Sequence, residues 1–148
     1  MKKYSRMTMR YLLLPALMAF VAMGSASAQK KAIGFIPGNA FSDGIVAGNT
    51  LYVAGQQGPD AHGNVTSTDI TVQTTNAINA VKKVVEQAGF KMSDIVSVTV
   101  YVANVNDVAK MNDVYKKLMP DPKPARATVQ VAALIGGAKI EISAIAVK

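Results

Sequence analysis

The 148-residue chain has no cysteine and a single histidine, His62. Without cysteine there is no disulfide framework and no lipid-modified N-terminal cysteine, so the fold rests on its own apolar core. One histidine in the polar Asp60–Asn64 loop, placed for solvent rather than catalysis, leaves little from which to build a metal site. Two other residue types are scarce. Beyond position 28 the twelve basic residues comprise eleven lysines and one arginine, Arg126, and the only glutamates are Glu86 and Glu141. Repeats, low-complexity tracts and long linkers are also missing, which points to one compact domain.

Acidic residues are absent from the first 28 positions. Lys2, Lys3, Arg6 and Arg10 form a basic stretch, Tyr11 to Gly24 (YLLLPALMAFVAMG) an apolar one, and Ala26-Ser27-Ala28 supplies small residues before Gln29. That order is the pattern of a secretory signal peptide with cleavage after Ala28. The apolar run is about 14 residues with Pro15 inside it, short of the roughly 20 that a membrane span needs. Residues 1–28 are therefore expected to be a signal peptide and residues 29–148 a single domain, periplasmic or secreted, with no membrane attachment after cleavage. Cleavage also changes the charge. The whole chain carries +7, whereas residues 29–148 hold twelve bases against nine acids, a net of +3. No basic block of the kind that neutralises phosphates remains, so nucleic acid is not an expected partner.

Within residues 29–148 the hydrophobic pattern changes period several times. A short lead-in strand is expected near Ile33–Phe35. Ile45-Val46-Ala47 and Thr50 to Ala54, separated by Gly48-Asn49, read as a hairpin. Gly58 to Ser67 is a polar loop. Ile70, Thr74, Ala77, Ile78, Val81, Val84, Val85 and Ala88 repeat at helical spacing, with Asp69 as cap and Gly89 as stop. Ile95 to Ala103 alternates with β-branched residues, as a strand does. Asp107 to Met119 is a second helix with Val108, Met111, Val114, Tyr115 and Leu118 on one stripe, ended by Pro120, Pro122 and Pro124. Two strands follow, Arg126–Leu134 and Lys139–Val147, expected as neighbours across the Gly136-Gly137 loop. The β-β-α-β-α-β-β order predicts an α+β domain, one mixed sheet with two helices on one face. The other face then needs a cover, for which a partner subunit is the expected source.

Arg126 opens an apolar strand just after a proline-rich turn. Its planar fork matches a carboxylate with two parallel hydrogen bonds, which lysine cannot do. An arginine there fits either a carboxylate-binding site or a structural ion pair at a strand end. Glu141 lies among Ile140, Ile142 and Ile145; alternation sets it on the face opposite Ile140, Ile142 and Ala144. A carboxylate flanked by isoleucines is either paired, solvated on an outer face, or functional. Arg126, Thr128 and Gln130 share one face of their strand. With the two strands adjacent, Arg126 and Glu141 would border a common cleft.

These residues carry a specific resemblance. Pro124-Ala125-Arg126, followed by Val129, Ala132, Leu134 and Ile140-Glu141-Ile142, resembles the C-terminal signature of the Rid (reactive intermediate deaminase) family, also called YjgF-like, in its RidA-type members. Ala47-Gly48-Asn49 through Gly55-Gln56 resembles the family's first hairpin. Gln73-Thr74 with Ala77 and Val81 resembles its first helix, and Val98 to Val102 and Met111 to Tyr115 its middle strand and second helix. The likeness thus spans nearly all of residues 29–148. It implies a chorismate-mutase-like fold and a homotrimer with a cleft at each subunit interface. It further implies hydrolysis of a small 2-imino or enamino acid to a 2-keto acid and ammonia, with no cofactor and no metal. Arg126 would hold the substrate carboxylate and Glu141 would orient the attacking water, with Thr128, Gly55, Asn112, Tyr115, Phe41 and Ala54 around the substrate. Three positions depart from the family pattern. Thr128 stands where Cys is frequent, Ala54 where Ser is frequent, and Phe41 where a hydroxylated aromatic is common. Two lost hydroxyls remove hydrogen bonds worth about 0.5–1.5 kcal/mol each, a retuned site rather than a lost one. The expectation is an exported enamine/imine deaminase. Its rivals are a non-catalytic trimer that binds small carboxylates and a holdase-like interaction protein.

Overall fold

The structure, a computed structural model, describes residues 29–58 and 67–148. The expected signal peptide and His62 lie outside the described residues. Six strands, β1 (Lys30–Ile33), β2 (Gly44–Ala47), β3 (Thr50–Gln56), β4 (Ile95–Val102), β5 (Ala125–Gln130) and β6 (Ile140–Val147), form one sheet in the order β1-β2-β3-β6-β4-β5. The helices are α1 (Ile70–Gln87) and α2 (Val108–Leu118). β4 and β5 run parallel, joined through α2, and the other described pairs are antiparallel.

Local signals account for the elements. The Asp69 carboxylate accepts from the Thr71 backbone N–H at 2.7 Å and caps α1. Gly89, at φ +81°, ends that helix: its N–H bonds Glu86 O while Phe90 N–H bonds Val85 O, the paired closure that needs a left-handed residue. Gly48, at φ +61°, makes the turn between β2 and β3. β1 lies a few residues earlier than expected, because Gly34 at φ +64° turns the chain away from its partner β2.

Strand alternation decides where the core sits. Leu51 and Val53, then Val98, Val100 and Val102, then Ile140, Ile142, Ala144 and Ala146 are buried on one sheet face. Against them α1 packs Ile70, Thr74, Ala77, Ile78, Val81, Val84 and Val85, and α2 packs Met111 and Tyr115. Each large aliphatic side chain removed from water there contributes about 1.5–3 kcal/mol. Leu118 departs from the expected stripe and is 41% exposed at the end of α2. The opposite face carries no described element. Register places Tyr52 beside Ile145, Thr99 beside Ser143 and Tyr101 beside Glu141 on it, and Tyr52 is 51% exposed.

One expectation is corrected by the topology. β5 and β6 are consecutive but not adjacent, since β4 lies between them. The chain leaves β4 through α2 and returns parallel to it, which sets β5 at the sheet edge. β6 then enters the centre antiparallel to both β3 and β4.

Candidate active site

The residues singled out from the sequence fall into two groups on opposite faces of the sheet. The first surrounds Arg126. Register pairs Arg126 with Val98 and Thr128 with Val100, so both point to the side covered by the helices. The Arg126 guanidinium lies 4.5 Å above the centroid of the Tyr115 ring, and its Nη2 donates to Asn112 Oδ1 at 2.8 Å. Asn112 and Tyr115 are three apart on α2, hence on one helix face, and they aim the fork outward. Together with Lys116, Lys123 and Pro124 these three line a recess of about 260 Å³. Lys123 reaches back to donate to Lys116 O at 3.0 Å and Met119 O at 2.7 Å, which ties the proline-rich turn to the end of α2. Two buried hydroxyls beside this group, Tyr115 OH and Thr128 Oγ1, have no hydrogen-bond partner among the described residues. Burial pushes the Tyr115 phenol above its usual range, and the neighbouring Arg126 charge partly opposes that.

The second group surrounds Glu141. Glu141 alternates with the buried Ile140 and Ile142 and therefore faces the open side. Opposite it β3 has a bulge: Val53 pairs with Ala144 but Gln56 pairs with Ile142, so Ala54 and Gly55 together face the single residue Ser143. A Cβ on Gly55 would overlap Glu141 Oε1. Gln57 Nε2 donates to the other carboxylate oxygen, Oε2, at 3.0 Å. Ala54 continues the line of Tyr52 and is half-buried. Phe41 stands 65% exposed in the loop ahead of β2.

The structure thus brings Arg126, Asn112, Tyr115 and Thr128 together, and separately Glu141, Gly55 and Ala54. It does not join the two groups within one chain. Three participants were not foreseen. Lys116 and Lys123 resemble any solvated lysine in sequence. Gln57 resembles any loop amide and is recognisable only once the bulge is seen.

Chemically the halves are complementary. The first offers a guanidinium with only one N–H described as engaged, suited to a small carboxylate. The second offers a carboxylate with one oxygen held and the other beside a glycine, open to a water or an amine.

Comparison with known proteins identifies the family and supports the fold. A family model described as Endoribonuclease L-PSP matches residues 32–148. A RutC family protein of Pyrococcus horikoshii is 42% identical over 113 residues, covering 76% of this chain and 90% of its own. A 2-iminobutanoate/2-iminopropanoate deaminase of Dermatophagoides farinae is 40% identical over 112 residues, covering 75% and 88%. Among solved structures, the YjgF gene product of E. coli superposes with a TM-score of 0.70 at 36% identity, covering 79% of this chain and 93% of that one. The mixed sheet with its two helices is accordingly the chorismate-mutase-like one, and the chain belongs to the Endoribonuclease L-PSP family, the YjgF/Rid group.

Proposed function

We propose that the protein is an exported, cofactor-independent enamine/imine deaminase that works as a homotrimer, with each site built from Arg126 of one copy and Glu141 of the next. The observation that carries this reading is the division of the candidate residues between two faces of one sheet. A half-site at an edge strand and a complementary half-site on an uncovered face meet when identical chains pack head to tail around a closed ring. Deaminase-named relatives at 36–40% identity support the reaction class.

The reaction adds one water to a 2-imino acid and yields a 2-keto acid and ammonia. Arg126 binds the carboxylate through its free N–H groups and fixes the C=N carbon. Glu141 orients a water toward that carbon and takes its proton as the C–O bond forms. With the imine nitrogen protonated, Glu141 then hands that proton to the nitrogen of the tetrahedral adduct and takes the remaining hydroxyl proton as the C=O bond forms and the C–N bond breaks, releasing ammonia. An imine already reacts with water, so placement supplies most of the acceleration. Tyr115 OH and Thr128 Oγ1, both without partners among the described residues, are groups that bound substrate or the adjoining copy would satisfy. The family's nuclease description has less support here. The net +3 of residues 29–148 is small for phosphate binding.

A second reading has one observation in its favour. The Arg126 recess is complete within one chain, so a carboxylate can be bound without Glu141. Complementation separates the two. Arg126→Ala and Glu141→Gln are each expected to cut keto-acid release, from imino acids generated in situ by an amino-acid oxidase with semicarbazide as competing trap, to a small but measurable residual rate. Mixed and reassembled, the two variants regain activity, because about one site in four in a random trimer ring receives both intact residues. Persistent inactivity of mixed trimers that bind 2-keto acids, with an equally inactive wild type, would establish the binding protein instead.

A further inference from the structure

The Glu141 half-site contains a residue that no part of the reaction has used. Gln57 follows the β3 bulge, and its Nε2 reaches Glu141 Oε2 at 3.0 Å. Only the amide N–H can face an ionised carboxylate, so chemistry fixes which end of Gln57 points at Glu141. Gln56, next to it, is engaged elsewhere, donating to Ala54 O at 3.2 Å.

The backbone on both sides of this contact is held by one buried residue of α1. Gln73 is 1% exposed. Its Oε1 accepts from Lys139 N–H at 2.7 Å, just ahead of β6 and two residues before Glu141. Its backbone carbonyl lies against Gly58, where any Cβ would collide with it, so the segment after Gln57 sits directly on α1. The amide of Gln57 and the carboxylate of Glu141 are therefore set at a fixed separation by a common support.

We propose that Gln57 is a positioning residue: it holds Oε2 of Glu141, stops rotation of the carboxylate, and leaves Oε1 beside Gly55 as the oxygen that meets water. This rests on the deaminase reading above. It adds that the useful oxygen is selected by two neighbours, an amide that occupies one side and a glycine that vacates the other.

The test is a double-mutant cycle on the purified protein with Gln57→Met, which keeps the unbranched shape and removes the amide, and Glu141→Gln. Gln57→Met alone is expected to lower kcat about ten-fold with KM unchanged, because substrate anchoring stays with Arg126. In the Glu141→Gln background the same substitution changes nothing further, since both act through one carboxylate. Gln57→Glu, which sets a like charge against Glu141, lowers kcat more than Gln57→Met does. A spectroscopic readout stands apart from turnover. Glu86 and Glu141 are the only glutamates after residue 28, so with ¹³C-labelled glutamate the Glu141 carboxyl resonance is assignable. It moves in Gln57→Met while Glu86, paired with Lys82, does not. An unchanged Glu141 resonance, or additive losses in the cycle, would overturn the proposal. If the resonance moves while the wild type turns over no imine, the hold of Gln57 on Glu141 stands and the deaminase reading is what fails.

Discussion

Gly55→Ala is the substitution in which stability and activity should part most clearly. Gly55 is exposed and its φ is not positive, so alanine meets no backbone strain. Replacing glycine where the backbone permits it stabilises by about 0.4–1 kcal/mol through the unfolded chain. Against this, the new Cβ would overlap Glu141 Oε1, and the carboxylate must swing away and loosen its bond to Gln57. That neutral-to-charged hydrogen bond is worth about 1.5–3 kcal/mol when fully formed and less at a half-exposed site. The two effects nearly offset, and thermal unfolding should lie within a few degrees of wild type. Activity should behave differently. Clearing the overlap displaces the carboxylate oxygen by roughly 1 Å, and a misplacement of that size costs about 100-fold in rate. The assay is imine depletion under semicarbazide competition, beside differential scanning calorimetry and size-exclusion chromatography on the same samples. Wild-type kcat in a folded Gly55→Ala protein of wild-type size would show that Oε1 is not the reacting oxygen, and the reasoning about this half-site would fall with it.

Two predictions concern α1. Gln73→Leu leaves the Lys139 N–H and the Ser67 carbonyl without their side-chain partner, each costing roughly 1–3 kcal/mol where buried, so urea denaturation should show a clear loss of midpoint stability. Asp69 has its carboxyl below the usual range because the Thr71 hydroxyl and backbone N–H donate to it. Its cap is therefore complete above the ordinary carboxylate value and is lost as pH falls through the lowered one. Asp69→Asn keeps an acceptor that does not titrate, and its acid-unfolding curve should be shallower than wild type in that range; coincident curves would remove Asp69 from the acid transition.

The parts that sequence made legible are those set by local rules. α1 follows from the apolar and small residues among its eight buried positions, which recur at helical spacing, and Asp69 and Gly89 mark its ends because a cap and a left-handed stop are local chemistry. The Gly48–Asn49 turn and the alternation of β6 are legible for the same reason. The order of the strands is not, because adjacency is decided by which connection the chain takes rather than by sequence order. The α2 crossover fixes β5 beside β4, and that step separates Arg126 from Glu141. Gln73 shows the limit at a single residue. A glutamine three positions after Ile70 looks like a solvated amide until Ser67 and Lys139, distant or poorly patterned in sequence, are found to need its two ends. Gln57 is hidden behind a bulge, since a shift of pairing by one residue leaves no mark in composition or period.

The separation of Arg126 and Glu141 also changes how the open face should be understood. Taken alone, Tyr52, Tyr101, Ile145 and Val147 on a sheet face that no described element covers are a stability problem, apolar area left in water by a chain with no cysteine for disulfides. Taken alone, Glu141 among them is a charge that any apolar cover would have to desolvate. The proposed ring would answer both difficulties at once. A second copy that covered the face and brought the positive edge of β5 toward Glu141 would bury the aromatic and aliphatic side chains and supply the charge that a carboxylate in such a place requires. With substrate between them, the imino acid's own carboxylate would take Arg126 and its cationic nitrogen would face Glu141. Assembly and substrate selection would then rest on the same pair of charges, a reason for Arg126, the single arginine of residues 29–148, and Glu141 to occupy the positions they do.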